Sequence, residues 1–442
     1  MRSRFFLMFL LATTPLSISG AKEVETATFS PDRIPDRQQV LDVITRAALT
    51  QATKDSGSVE WTWASYFAGA LKLTEVKKLP ELEQFAFRTA KRFQYSHRND
   101  GAPVHLINAD DQAIGDLYQW VYLRTGSPGV LLPLKQRLDY TVPYLEFQPE
   151  PEKLVWWWCD ALFMAPPLLT KMSAITGDPK YVRAMDVQWW RVYDRLYDEE
   201  ERLFARDARF IERRSPNGKK IFWARGQGWV ISGLARVLEH MPADFPSRPR
   251  YVTLFQEMAD RIVSLQQPDG LWRASLLDPE AFPDAETSGT AFFTYALAFG
   301  VNHSLLDREK YLPSALKGWA ALNRYILPSG NLGQVQARGD QPVPTRLNST
   351  GLYATGAFVL AGLEMTKLND PVNSLPLPKP VVAELKYEAA NWSGAKNPPA
   401  DATEEQLEEF ERGKAERQAV KDQSFDPVIH DPAYHSPVQF QD

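Results

Sequence analysis

Between about residue 38 and residue 370, apolar runs at helical spacing recur, and each is closed by Gly, Pro, Asn or Asp. Examples are Val40 to Leu49, Trp61 to Leu73, Leu82 to Phe93, Ala113 to Tyr122, Leu162 to Ile175 and Tyr181 to Leu196. The pattern returns in Gly228 to Leu238, Tyr251 to Leu265, Ala291 to Phe299, Ser314 to Ile326 and Gly351 to Leu363. Apolar residues three and four apart share one helix face, whereas a strand needs strict alternation, which is scarce here. The fold class is therefore all-α. The stretches Arg124-Thr125-Gly126-Ser127-Pro128 and Ile175-Thr176-Gly177-Asp178-Pro179 both end an apolar run at Thr-Gly and turn into a new one. Such recurrence points to stacked helical hairpins. A dozen or so helices in one domain over 38–370 fit a closed toroid of six hairpins, an (α/α)6 barrel. A two-layer helical array is the alternative.

Composition narrows the function. A net charge of −5 in 442 residues argues against a nucleic-acid or general polyanion binder, while leaving room for a local basic site. The 13 Trp suit sugar-binding pockets, although Trp also fills large helical cores. Cys159 is the single cysteine, which excludes an intrachain disulfide and a Cys-based zinc site. Arg2 and Arg4, the apolar run Phe5 to Ala12 and small residues up to Ala21 read as a signal peptide over 1–21. That run is too short to span a membrane, and no later span follows, so export to the periplasm or medium is expected. After about 371 the chain changes character: Leu375-Pro376-Leu377-Pro378 breaks helices, and Glu404 to Glu411 could form one solvated helix. The extension 371–442 is read as surface-hugging or loose.

Four segments interrupt the apolar pattern with polar chemistry. In Trp156-Trp157-Trp158-Cys159-Asp160-Ala161-Leu162-Phe163 one carboxylate sits among aromatics. Burial without a partner raises a carboxyl pKa, which suits a general acid, whereas the plainer reading makes Asp160 a helix N-cap. Asn108-Ala109-Asp110-Asp111-Gln112 precedes another apolar run; capping accounts for one Asp, not for both. Trp223-Ala224-Arg225-Gly226-Gln227-Gly228-Trp229 offers the planar fork of Arg225, with Trp229 on the same helical face, or else a turn with a structural Arg. Glu286-Thr287-Ser288-Gly289 opens a further helix, with Ser288 as a ligand-facing candidate. Arg206-Asp207 lies in a polar loop and could be a plain salt bridge. No Gly-x-Ser-x-Gly elbow, phosphate loop or His-Glu-x-x-His motif is present, so serine hydrolase, NTPase and common metalloprotease readings lack support.

Taken in order, Asn108 to Gly115, Trp158 to Pro167, Thr176 to Tyr181 and Trp223 to Trp229 resemble the unsaturated glycuronyl hydrolases of glycoside hydrolase families 88 and 105, nearest the rhamnogalacturonyl branch. The resemblance covers roughly 40–365. It implies an (α/α)6 barrel with a cleft at one end, and removal of a 4,5-unsaturated uronic acid from the non-reducing end of lyase-cut oligosaccharides. The implied chemistry is hydration of the C4=C5 enol ether rather than the two-carboxylate displacement of ordinary glycosidases. By resemblance Asp160 is the acid that protonates C4 and then the base that activates water. A carboxylate from Asp110-Asp111 assists, with Asp111 preferred. Arg225 and Trp229 match substrate-contacting positions; Asp110, Asn108, Trp158, Asp207 and Ser288 complete the binding candidates. No metal or cofactor is expected.

Two positions depart from the pattern. Arg206 and Asp207 stand near where some relatives carry a substrate-contacting His, and Gln227 stands where Asn is commoner. Unsaturated rhamnogalacturonan disaccharides are the first-choice substrate, with ulvan-like or glycosaminoglycan fragments as alternatives. An epimerase or conventional glycosidase on the same fold would need a second, suitably placed catalytic group. A non-catalytic sugar-binding toroid would keep the aromatics and Arg225 without needing Asp160. No residue pattern fixes an oligomeric state.

Overall fold

A computed structural model describes residues 28–52, 57–98, 103–147 and 154–370. The expectations for 1–21 and 371–442, including the signal peptide and the helix around Glu404 to Glu411, lie outside these residues. In chain order the helices are α1 (Arg37–Ala52), α2 (Trp61–Val76), α3 (Pro80–Arg92), α4 (Pro103–Leu106), α5 (Ala109–Gln112), α6 (Gly115–Thr125), α7 (Pro128–Glu146) and α8 (Ala161–Met164). They continue with α9 (Pro166–Thr176), α10 (Lys180–Leu196), α11 (Ala224–His240), α12 (Arg248–Ser264), α13 (Thr287–Asn302), α14 (Arg308–Asn323) and α15 (Leu352–Met365). A two-residue antiparallel pair, β1 (Tyr197–Asp198) and β2 (Leu203–Phe204), follows α10.

Contacts between these helices close a ring. α2 packs on α6, α6 on α9, α9 on α11, α11 on α13, α13 on α15, and α15 back on α2. The intervening long helices α1, α3, α7, α10, α12 and α14 lie outside that ring against its members. This is an (α/α)6 barrel, and closure of the ring excludes the two-layer array. Sequence explains the layering. Every residue of α13 from Thr287 to Asn302 is buried, as expected of a helix apolar all round. α10 instead buries one face, through Tyr181, Val182, Met185, Trp189 and Val192.

Two local features differ from the apolar runs in the sequence. Leu162 to Ile175 is not one helix: it divides into α8 and α9 at Ala165, where Pro166 and Pro167 open α9. Pro suits the first turn because its missing N–H would lack a helical partner there anyway. Conversely, α7 carries Pro133 and Pro143 inside it, which hid a 19-residue helix from a periodicity argument. Because inner and outer helices alternate along the chain, all six inner helices point the same way. Their N-termini share one rim, and every segment singled out for chemistry lies on it.

Candidate active site

The site is assembled at this rim, beginning with the segment before α8. Trp158 pairs with Asp207 in a strand-like bridge, and the Cys159 N–H donates to the Arg206 carbonyl at 2.8 Å. This pairing brings Asp160 alongside Arg206. Asp160 does occupy the N-cap position of α8, yet its side chain makes no capping hydrogen bond. Its Oδ2 accepts from Arg206 Nε at 2.9 Å instead. The plainer N-cap reading of this carboxylate is thereby excluded. Burial raises the Asp160 pKa, and Arg206 and then Arg225 pull against that rise.

In the second segment the cap is Asn108, whose Oδ1 accepts from the backbone N–H groups of Asp110 and Asp111. Asn108 thus has a structural task that frees both carboxylates from capping. They face different surroundings. Asp111 is buried, with Oδ2 2.6 Å from His105 Nδ1 and Oδ1 4.0 Å from Arg98 Nε. Asp110 has one carboxylate oxygen sealed from solvent, with no hydrogen-bond partner among the described residues. Burial pushes Asp110 up to about 7, helped by the charges of Asp160 and Asp111 and opposed by Arg206 and Arg98. α5 packs against α8, and the charge of Asp160 is, after burial, a cause of the upward shift of Asp110.

The remaining residues predicted from sequence are at the rim, but most are committed to the protein. Arg225 is 1% exposed, and its fork donates to the carbonyls of Gln336 at 2.8 Å and Ala337 at 2.7 Å. It therefore anchors the segment that follows α14 instead of presenting that fork to the cleft. Ser288 is fully buried and bonds Glu286, the N-cap of α13, which also accepts from the Gly289 N–H at 2.7 Å. Asp207 is buried as well, held by Arg206 at 2.8 Å and by Arg209 through its backbone and guanidinium. Burial raises the Asp207 pKa, but the bonds from Arg209 and Arg206 outweigh this and hold it below the ordinary carboxylate value. Trp229 is 1% exposed and is packed by Phe163, Phe292 and Trp61.

Trp158 is buried too; its neighbour Trp157 is the partly exposed ring, lying beneath the Arg206 guanidinium at 5.4 Å. Likewise Trp61, at the start of α2, is partly exposed and stacks on Tyr353 at 5.5 Å. Arg338 lies over Trp61 and reaches Glu60 at 3.2 Å. Trp61, Trp157, Arg206 and Arg338 were not identified as site residues from sequence. Nothing local distinguishes them from core aromatics and surface cations. Gln227 is explained by structure: its amide pairs with both the N–H and the carbonyl of Phe204, tying β2 to α11.

The model of Glycosyl Hydrolase Family 88 matches residues 37–369. The chain belongs to this family. A protein of Formosa agariphila named unsaturated 3S-rhamnoglycuronyl hydrolase is 41% identical over 326 residues, 70% of this chain and 85% of that protein. Among solved structures, a family 88 glycosyl hydrolase from Bacteroides vulgatus matches with TM-score 0.69 and 30% identity, covering 75% of this chain and 99% of that one. A structure described as a polysaccharide lyase matches with TM-score 0.70 and 30% identity, over 76% and 99% of the two chains. The chain is thus a glycoside hydrolase on an (α/α)6 barrel. At its rim stand buried Asp160 and half-buried Asp110, both with carboxyl pKa values raised by burial.

Proposed function

We propose that this glycoside hydrolase releases a 4,5-unsaturated uronic acid from the non-reducing end of an oligosaccharide by hydrating the C4=C5 bond, with rhamnose as the sugar beyond the cleavage point. The observation that carries the reading is Asp160, buried at the rim and ion-paired with Arg206, with Asp110 driven up to about 7 by burial and then by the charge of Asp160. Protonating an enol ether at C4 and adding water at C5 needs one proton donor and one proton acceptor near neutral pH. The hemiketal formed at C5 then opens, and the aglycone leaves without a displacement at C1. Rhamnose is supported by the name of the Formosa agariphila relative, which specifies a 3S-rhamnoglycuronyl unit. The fragment acted on is then a uronyl-rhamnose unit of the kind that name describes, with pectic rhamnogalacturonan a second source to test. The N-terminal pattern Arg2 to Ala21 supports an exported enzyme acting on such fragments.

The test follows the ultraviolet absorbance of the conjugated double bond in unsaturated uronyl-rhamnose, with and without sulfate on the rhamnose. Loss of absorbance with wild type, reduced at least about a thousandfold in Asp160→Asn, supports hydration. A rise in absorbance on intact polymer would instead mark a lyase, the description carried by one structural relative. Equal loss with Asp160→Asn would remove Asp160 from the chemistry.

A further inference from the structure

A second set of polar groups lies away from the rim, on the flank of the barrel. The outer helix α1 lines a groove of about 580 Å³ with Asp42, then Thr45 and Arg46, then Leu49 and Thr50. Residues three and four apart share a helix face, so the groove runs along α1. Two contacts mark its ends. Lys77, just past the C-terminus of α2 and so opposite the rim, meets Asp42 at 3.3 Å. Ser329, in a turn beyond α14, offers its carbonyl to the Thr50 hydroxyl at 3.0 Å. Helical rise puts roughly 12 Å between Asp42 and Thr50.

Arg46 is the group here without a task. Its stem lies against Gly330, where a Cβ would fall 2.9 Å from Arg46 Cγ. Its Nε is sealed from solvent, and its guanidinium has no hydrogen-bond or ion-pair partner among the described residues. Thr45, 9% exposed, adds a hydroxyl that is also sealed and unpartnered. Elsewhere Thr89, Thr170 and Thr176 satisfy their hydroxyls on the carbonyl four residues earlier. Thr45 does not. Buried donors without acceptors are rare, because each forgoes its bonds to water, so two on one helix face call for an outside acceptor. Asp42 is not that acceptor: its Oδ1 already takes Gln38 at 2.8 Å as well as Lys77.

We propose that this groove is a second, non-catalytic binding site that takes the sulfate or carboxylate of an acidic saccharide. Arg46 and Lys77 outweigh Asp42, so the groove is positive although the chain is not. The Arg46 fork fits two oxygens of a carboxylate or sulfate, and the Thr45 hydroxyl donates a further bond. Leu49 and the Arg46 stem give apolar surface to a sugar ring, in a volume usual for small-ligand sites. A fragment held there stays near the rim between turnovers, which raises its effective concentration. The saccharide assignment rests on the acidic substrate proposed above; the need for an anion does not.

The test uses the full chain labelled with ¹⁵N-arginine, the Arg46 Nε–H signal being the one lost in Arg46→Gln. The probe is a saturated uronyl-rhamnose with sulfate on the rhamnose, which has no double bond to hydrate. The Arg46 signal should shift and saturate with a Kd of about 1 mM or lower, at least tenfold tighter than for inorganic sulfate. By calorimetry Arg46→Gln should bind one equivalent of probe fewer than wild type, with kcat and KM on an unsaturated disaccharide within about twofold. Thr45→Val should weaken the probe about threefold or more and melt no lower than wild type, since it removes an unsatisfied hydroxyl. That variant also serves if Arg46→Gln does not fold. An Arg46 signal unmoved by saturating probe, or unchanged stoichiometry in Arg46→Gln, would overturn the proposal. Sulfate binding as tightly as the saccharide would mark a plain anion site and overturn the saccharide assignment. A shifted Arg46 signal in a chain inactive on every unsaturated uronide would remove the hydration reading and leave the groove standing. Turnover with an unmoved signal would remove the groove alone.

Discussion

Asp110 shows how much a single residue's role depends on its surroundings. Its folded pKa of about 7 stands well above its ordinary 3.8, so the folded state binds a proton more tightly than the unfolded chain does. Stability therefore falls as pH rises across that window, because the folded protein must give up a proton it favours. Asp110→Asn should abolish activity yet raise stability, with a gain on the order of 1 kcal/mol or more at pH 8 and little at pH 4. Thermal melts at the two pH values would show this, and a variant less stable at pH 8 would count against the half-buried, unpaired carboxyl. The aromatic residues separate in a second way. Trp61→Ala should raise KM about tenfold with little change in melting, because its ring is partly exposed at the rim. Trp229→Ala should cost about 3–5 kcal/mol in unfolding free energy, because the ring is enclosed by Phe163 and Phe292. Equal melting losses in the two variants would remove that distinction. From sequence the two tryptophans look alike, and the motif pointed to the buried one.

At the scale of elements, the chain specified helices well and their exact limits less well. Periodicity identified the inner helices because they are apolar around much of their circumference. It failed for α7, where internal prolines mimic breaks, and across α8 and α9, where a proline pair makes a real one. Gly69 and Gly356 show why α2 and α15 pack so closely. A Cβ at Gly356 would lie 2.0 Å from the Ser65 carbonyl oxygen, and one at Gly69 would lie 2.2 Å from the Gly356 carbonyl oxygen. Backbone cannot yield as a flexible side chain does, so the two helices would have to separate. Gly356→Ala should destabilise by about 2–4 kcal/mol despite alanine's better helix propensity, as read by denaturant unfolding. A neutral or stabilising result would mean that the helices are not in such contact. The same variant should lower activity, since Tyr353 and Trp61 at the N-termini of these helices meet at the rim.

For the whole molecule, the closed ring has an electrostatic consequence. Six inner helices direct their N-termini, and hence the positive ends of their dipoles, at one rim, where Arg98, Arg206 and Arg338 also stand. The arginines are themselves paired with Asp111, Asp160 and Glu60, so in a chain of net charge −5 the attraction for an acidic sugar falls to the helix ends. Raising salt from about 0.05 to 0.5 M should therefore increase KM for an unsaturated uronide several-fold while leaving kcat within about twofold. A salt-independent KM would show that the rim does not attract the substrate electrostatically.

The sequence by itself determined the all-α class, the hairpin repeat and the segments that carry chemistry, because helical periodicity and motif composition are local properties. It also singled out Asp160, a carboxylate beside three tryptophans, as a candidate acid with helix capping left open. Only the tertiary structure decided how each polar group is used. Pairing of Trp158 with Asp207 placed Arg206 against Asp160, while burial raised Asp110 and an imidazole and a guanidinium faced Asp111. Burial and hydrogen bonding gave Arg225, Ser288 and Trp229 structural contacts at the rim that the sequence did not show. Hydrogen bonding, desolvation and charge coupling depend on groups distant in sequence, 46 residues apart for Asp160 and Arg206, and only the folded chain brings them together.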